Sequence, residues 1–154
     1  MQEQPFPKRT VLIIEENPDY CELFQEAIRQ PDLTDETNIM PSMESAWMFL
    51  QAAQTSPHPR LPHLILLDLE PEHSRRFLRR FRADPGLASI PVAMLVSSDD
   101  PKDIHACHTS GANGYVVKPD TFDELAGLIA DLCRHGLGPQ QCFGASLSKG
   151  ERTP

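Results

Sequence analysis

The strongest constraint on this chain is a recurring pair: a short uninterrupted apolar run, then a segment with apolar residues at helical spacing. Val11 to Ile14, Leu64 to Leu67 and Val92 to Val96 are such runs, as expected of strands covered on both faces. Asn38 to Met40 is a weaker strand and Tyr115 to Val117 a fifth. Asn17 and Pro18 read as the N-cap and first-turn proline of a helix carrying Tyr20, Phe24, Ala27 and Ile28 as far as Pro31. Ser42 caps a second helix from Met43 to Gln54, and Arg75 to Arg82 is a short third with Phe77, Leu78 and Phe81 on its apolar face. A fourth opens at Pro101 behind Ser98, Asp99 or Asp100 and stops at Gly111. The fifth starts with the capping-box pattern Thr121 to Glu124, carries Phe122, Leu125, Ile129 and Leu132, and ends at Gly136 and Gly138. Five strands alternating with five helices through right-handed crossovers predict a doubly wound α/β fold, a five-stranded parallel sheet with helices on both faces.

At 154 residues the chain has room for one such domain. It is expected over residues 8–136. Residues 137–154, rich in Gly, Ser, Pro and Gln, read as a tail that is mobile or ordered by a partner, with no output domain. The 14 Lys and Arg against 22 Asp and Glu give a net charge of −8, which repels a phosphate backbone, so nucleic acid is not an expected partner. No apolar run approaches the roughly 20 residues of a membrane span, and the first ten residues hold no signal-peptide core. A cytoplasmic protein without a membrane partner is expected. Cys21, Cys107, Cys133 and Cys142 form no CxxC pair, which suits reduced thiols.

In an open parallel sheet, ligands gather beyond the carboxyl ends of the strands. That rim receives Glu15 and Glu16 after the first strand, Asp68 after the third, Ser97 and Ser98 after the fourth, and Lys118 after the fifth. Three carboxylates brought together repel unless a cation lies between them, and clustered hard oxygens suit Mg²⁺. Lys118 would pair with Asp68 and neutralise phosphoryl oxygens transferred there. A phosphoryl-accepting aspartate accounts for the whole set.

The segments VLIIEENPD, LILLDLE, IPVAMLVSS and GANGYVVKP, in this order and spacing, resemble the receiver domains of two-component response regulators, which have a flavodoxin-like fold. The resemblance runs from about Lys8 to His135. LILLDLE and IPVAML are most similar to single-domain regulators that partner phytochrome-type histidine kinases. The resemblance implies that Asp68 takes a phosphoryl group from a kinase histidine and that the chain signals by protein contact. It implies Mg²⁺ held by Glu15 through water and by Glu16 directly, with Asp68 and the backbone carbonyl of Glu70 completing the set. Lys118 would bind the phosphoryl oxygens, Pro119 would follow a cis bond, and the Tyr115 ring would turn between states. A homodimer would form through the fourth helix, fifth strand and fifth helix, where Ile104, Leu128 and Leu132 are either core or interface.

Three positions depart from that pattern. Val96 stands where the family has the Thr or Ser that hydrogen-bonds the phosphoryl group, and Ser97 beside it should point elsewhere by strand alternation. Glu16 replaces the usual Asp. The loop DLEPEHSRRF after Asp68 is short and lacks the family's glycine. These departures support a second reading, a pseudo-receiver that binds protein without needing phosphate. A third, a small aspartyl-phosphate hydrolase using Asp68 and Glu70, lacks the chain length for a lid. Arg75, Arg76, Arg79, Arg80 and Arg82 make a basic stripe that reads first as a solvated face and second as a docking surface for an acidic partner. His105, Cys107 and His108 are too few for zinc.

Overall fold

The computed structural model describes residues 10–29, 37–138 and 141–143. The expected helix stop at Pro31, the domain start at Lys8 and most of the tail lie outside them. The order is β1 (Val11–Glu15), α1 (Pro18–Ala27), β2 (Thr37–Met40), α2 (Met43–Thr55), β3 (Leu64–Asp68), α3 (Pro71–Arg82), β4 (Val92–Val96), α4 (Pro101–Thr109), β5 (Gly114–Val117) and α5 (Phe122–His135). All four strand pairings are parallel and the sheet runs β2-β1-β3-β4-β5. The order therefore reverses beside β1, and the crevice between the β1 and β3 ends is where such a sheet takes a ligand.

Strand alternation splits the core into two layers. Val11, Ile13, Leu64, Leu66, Ala93, Leu95 and Val116 face α1 and α5, where Phe24, Leu125 and Ile129 cover them. Leu12, Ile14, Ile65, Leu67 and Val92 face α2 and α3 and meet Trp47, Leu50, Phe77 and Phe81. Val11 to Ile14 have no exposed surface, which is why they read as a continuous apolar run. Each fully buried Leu or Phe removes enough apolar area from water to contribute about 1.5 to 3 kcal/mol.

The helix starts follow capping chemistry. Asn17 Oδ1 accepts the Asp19 amide at 2.9 Å, and Ser42 forms a reciprocal box with Ser45. Asp100, among the three candidates, caps α4 by accepting the Lys102 amide, and Thr121 accepts the Glu124 amide at 3.1 Å. Helix α3 begins four residues before the expected Arg75, because Pro71 occupies the first helical position, where its missing N–H is no loss. Glu72, His73 and Ser74 carry no apolar signal to reveal that turn. The cis bond expected at Pro119 is absent, since every peptide bond among the described residues is trans.

The basic stripe is also more structural than its pattern suggested. Arg80 stacks over Trp47, 4.3 Å from the ring centroid. Arg82 Nη1 donates to the carbonyls of Ala88 and Ile90, and its Nη2 donates to the Gly111 carbonyl and Asn113 Oδ1.

Helix α4 buries only Cys107. Burial, and next the charge of Asp103, push that thiol up to about 11, so at pH 8 it is protonated and a poor nucleophile. Peptide-mapped alkylation of the native chain should label Cys107 only as fast as the chain unfolds. Labelling at the rate of a free thiol would mean that α4 opens by itself.

Candidate functional site

Glu15 and Asp68 are register partners at the carboxyl ends of β1 and β3, so both side chains leave the sheet at the crevice. Glu15 is only 2% exposed. Its Oε2 accepts the Asn17 amide at 3.1 Å, whereas Oε1 is buried with no hydrogen-bond donor. Burial first, and then the adjoining Asp68 carboxylate, raise the Glu15 pKa to about 8. Asp68 Oδ2 forms an ion pair with Lys118 Nζ.

Lys118 is fixed from two sides. Its amide donates to the Val96 carbonyl at 2.7 Å, which ties the end of β5 to that of β4. Its ammonium lies 3.9 Å from the Tyr20 ring centroid, a cation–π contact. Tyr20 is a site residue the sequence pattern concealed, because its place on the apolar stripe of α1 explained it already. The only available signal was an aromatic residue one turn into the helix that starts beside the acidic pair.

Glu15, Glu16, Asp68, Glu70 and Lys118 line one open cavity with Asn17 and Tyr20. Glu16 Oε2 lies 2.6 Å from His73 Nδ1 in the first turn of α3. The Glu70 carbonyl accepts the Ser74 amide at 2.9 Å and so starts α3, leaving a second lone pair available. Among the described residues no three His, Cys, Asp or Glu side chains gather into a complete metal-binding group. A cation here would keep much of its water, as Mg²⁺ commonly does. The donor set fits such an ion, because Glu15 Oε1 is buried without a partner next to the register-paired Asp68 carboxylate, and Lys118 is the ammonium paired there among the described residues.

On the other side of Asp68 a second cavity runs toward α4, lined among others by Arg75, Val96, Ser97 and Cys107. Val96 presents only methyl groups there. Ser97 is exposed, and Ser98 bonds Asp103 at 3.1 Å. Tyr115 is half-buried and stacks on Phe143 with centroids 5.7 Å apart, while Phe143 stacks on His108 at 4.7 Å. Residues 141–143 therefore lie against their own chain. Cys142 bridges Gly114, and the Phe143 amide donates to the Asn113 carbonyl at 2.8 Å. A Cβ on Gly114 would come within 1.9 Å of the Gln141 carbonyl oxygen, so this approach requires glycine. His105, Cys107 and His108 do not converge: Cys107 enters the core and His108 packs on Phe143. The four cysteines are thiols, with no disulfide.

With the switch-point carboxylates and their lysine in place, the family follows. Residues 11–130 match the response regulator receiver domain, and the chain belongs to that family of signalling receivers. It is similar to the response regulator Rcp1 of Synechocystis sp., 27% identical over 131 residues that cover 84% of this chain and 89% of Rcp1. Among solved structures it resembles the Mn²⁺-bound form of Rcp1 at 26% identity and a TM-score of 0.58, covering 80% of this chain and 91% of that one. It also resembles the bacteriophytochrome response regulator AtBRR at 30% identity and a TM-score of 0.56, again covering 80% and 91%. No helix among the described residues is long and apolar enough to cross a membrane.

Proposed function

We propose that this receiver accepts a phosphoryl group at Asp68 from a histidine kinase and passes the signal on by protein contact. The observation that carries this reading is the Asp68–Lys118 ion pair beside buried Glu15 at the switch point. An Asp68 oxygen attacks the phosphorus of a phosphohistidine, the P–O bond forms as the P–N bond breaks, and the imidazole nitrogen keeps the electron pair. Lys118 then exchanges the Asp68 carboxylate for the phosphoryl oxygens without leaving its place above Tyr20. Mg²⁺ at Glu15, Glu16, Asp68 and the Glu70 carbonyl supplies, when bound, positive charge that offsets the phosphoryl oxygens. The bacteriophytochrome regulator among its structural relatives supports a phytochrome-type kinase as the donor. Val117 and Phe122, each 40% exposed, support a homodimer through α4, β5 and α5, beside the strip that residues 141–143 cover.

Intact-protein mass after incubation with a small acyl phosphate tests the acceptor. One Mg²⁺-dependent adduct is expected on the parent and none on Asp68→Asn; an equal adduct on both would move the acceptor elsewhere. Val96 favours a second reading, since it offers no donor to draw the β4–α4 loop toward a phosphoryl group. A pseudo-receiver of this kind forms no adduct, either from the small donor or from a histidine kinase.

A further inference from the structure

The pair formed by Glu16 and His73 has no place in the phosphoryl chemistry above, yet two departures from the family pattern combine to create it. Glu16 reaches one methylene further than the usual aspartate. Only Leu69 and Glu70 separate β3 from α3, so the first turn of α3 comes up against the loop after β1. His73 Nδ1 and Glu16 Oε2 thus meet at 2.6 Å across 57 positions of sequence. His73 does not line the cavity itself; it stands behind Glu16, which does.

We propose that His73 is a positioning residue of the divalent-cation site, holding the Glu16 carboxylate by one oxygen so that this longer side chain serves where an aspartate would. The proposal rests on the cation site of the receiver reading. That site has its own independent mark in Glu15, which is 2% exposed and has an oxygen without a donor. A glutamate left to itself spreads its carboxylate over several rotamers, and binding a cation then has to order it. A hydrogen bond to a helix-anchored imidazole removes that freedom beforehand. Partners of this kind, one step removed from a metal, commonly change affinity by about 10- to 100-fold.

Calorimetric titration of the full chain with MgCl₂ and with MnCl₂, at one pH, measures the effect directly and needs no phosphorylation. His73→Ala is expected to bind both cations about 10-fold more weakly. His73→Asn, whose amide nitrogen falls near the Nδ1 position, should keep affinity close to the parent. In a Glu16→Asp background, where the shorter carboxylate cannot reach α3, His73→Ala should change little. Parent-like affinity in His73→Ala, with its melting transition intact, overturns the proposal, as does an undiminished loss in the Glu16→Asp background. A folded parent that binds neither cation removes the cation site itself, and that failure is told apart because it is present before any substitution.

Discussion

In the presence of a chelator, the folded chain loses stability as pH rises from the ordinary carboxyl range toward 8, and Glu15→Gln removes most of that loss. Glu15 has its pKa raised to about 8 by burial and by the neighbouring Asp68 carboxylate. Its folded form therefore holds a proton that the unfolded chain has already given up. In that window the unfolded state binds fewer protons, so stability falls with rising pH and levels off above the folded pKa. Over this span the loss is on the order of 3 kcal/mol, a large share of a small domain's total. Saturating Mg²⁺ should restore stability above pH 7, because binding to the folded, ionised pair alone shifts the equilibrium. Urea unfolding at several pH values, with and without Mg²⁺, is the measurement. A flat profile for the parent, or an equal slope in Glu15→Gln, would show that the carboxylate is not held as the geometry requires.

The same carboxylate shows how far the sequence could be read. Glu15, Asp68 and Lys118 were legible because their positions depend on strand ends, and a strand such as Leu64 to Leu67, buried on both sides, announces itself by an unbroken apolar run. Strand β2 was faint because, at the edge of the described sheet, its faces are only partly covered and Asn38 is exposed. The first turn of α3 gives no apolar period to read, because a proline at its first position, with no side-chain cap at Glu70, defines it. Long-range partners were out of reach for a different reason. Nothing local distinguishes His73 from a surface histidine until the fold brings it to Glu16, nor Tyr20 from a core aromatic until Lys118 arrives above it. The strip at residues 141–143 has no period at all; its stacking on Tyr115 and His108 depends on one glycine, Gly114, that leaves room for a backbone.

Arg82 is the sharpest case of that limit, and Arg82→Met is expected to destabilise the chain by about 3 kcal/mol. In a stripe of five arginines at helical spacing it looked like one more solvated charge. Instead its guanidinium gathers three carbonyls and the Asn113 side chain. Asn113 Oδ1 in turn accepts the Val92 amide at 2.8 Å, so the cluster ties the end of α3 to the starts of β4 and β5. A planar fork of donors can serve several acceptors at once, which a lysine ammonium cannot reproduce with the same geometry. Methionine keeps much of the packing of the stem but leaves the part-buried Ala88 and Ile90 carbonyls without that donor, and their unmet desolvation is the main loss. Arg82→Lys should recover only part of it. The flanking Arg79→Met, at a site where no such acceptors converge, should stay within about 0.5 kcal/mol of the parent. For a domain of this size a 3 kcal/mol loss lowers the melting temperature by about 10 °C, readily seen by circular dichroism. If Arg82→Met melts with Arg79→Met, the cluster contributes no more than a surface charge, and the β4 and β5 starts are held by the sheet alone.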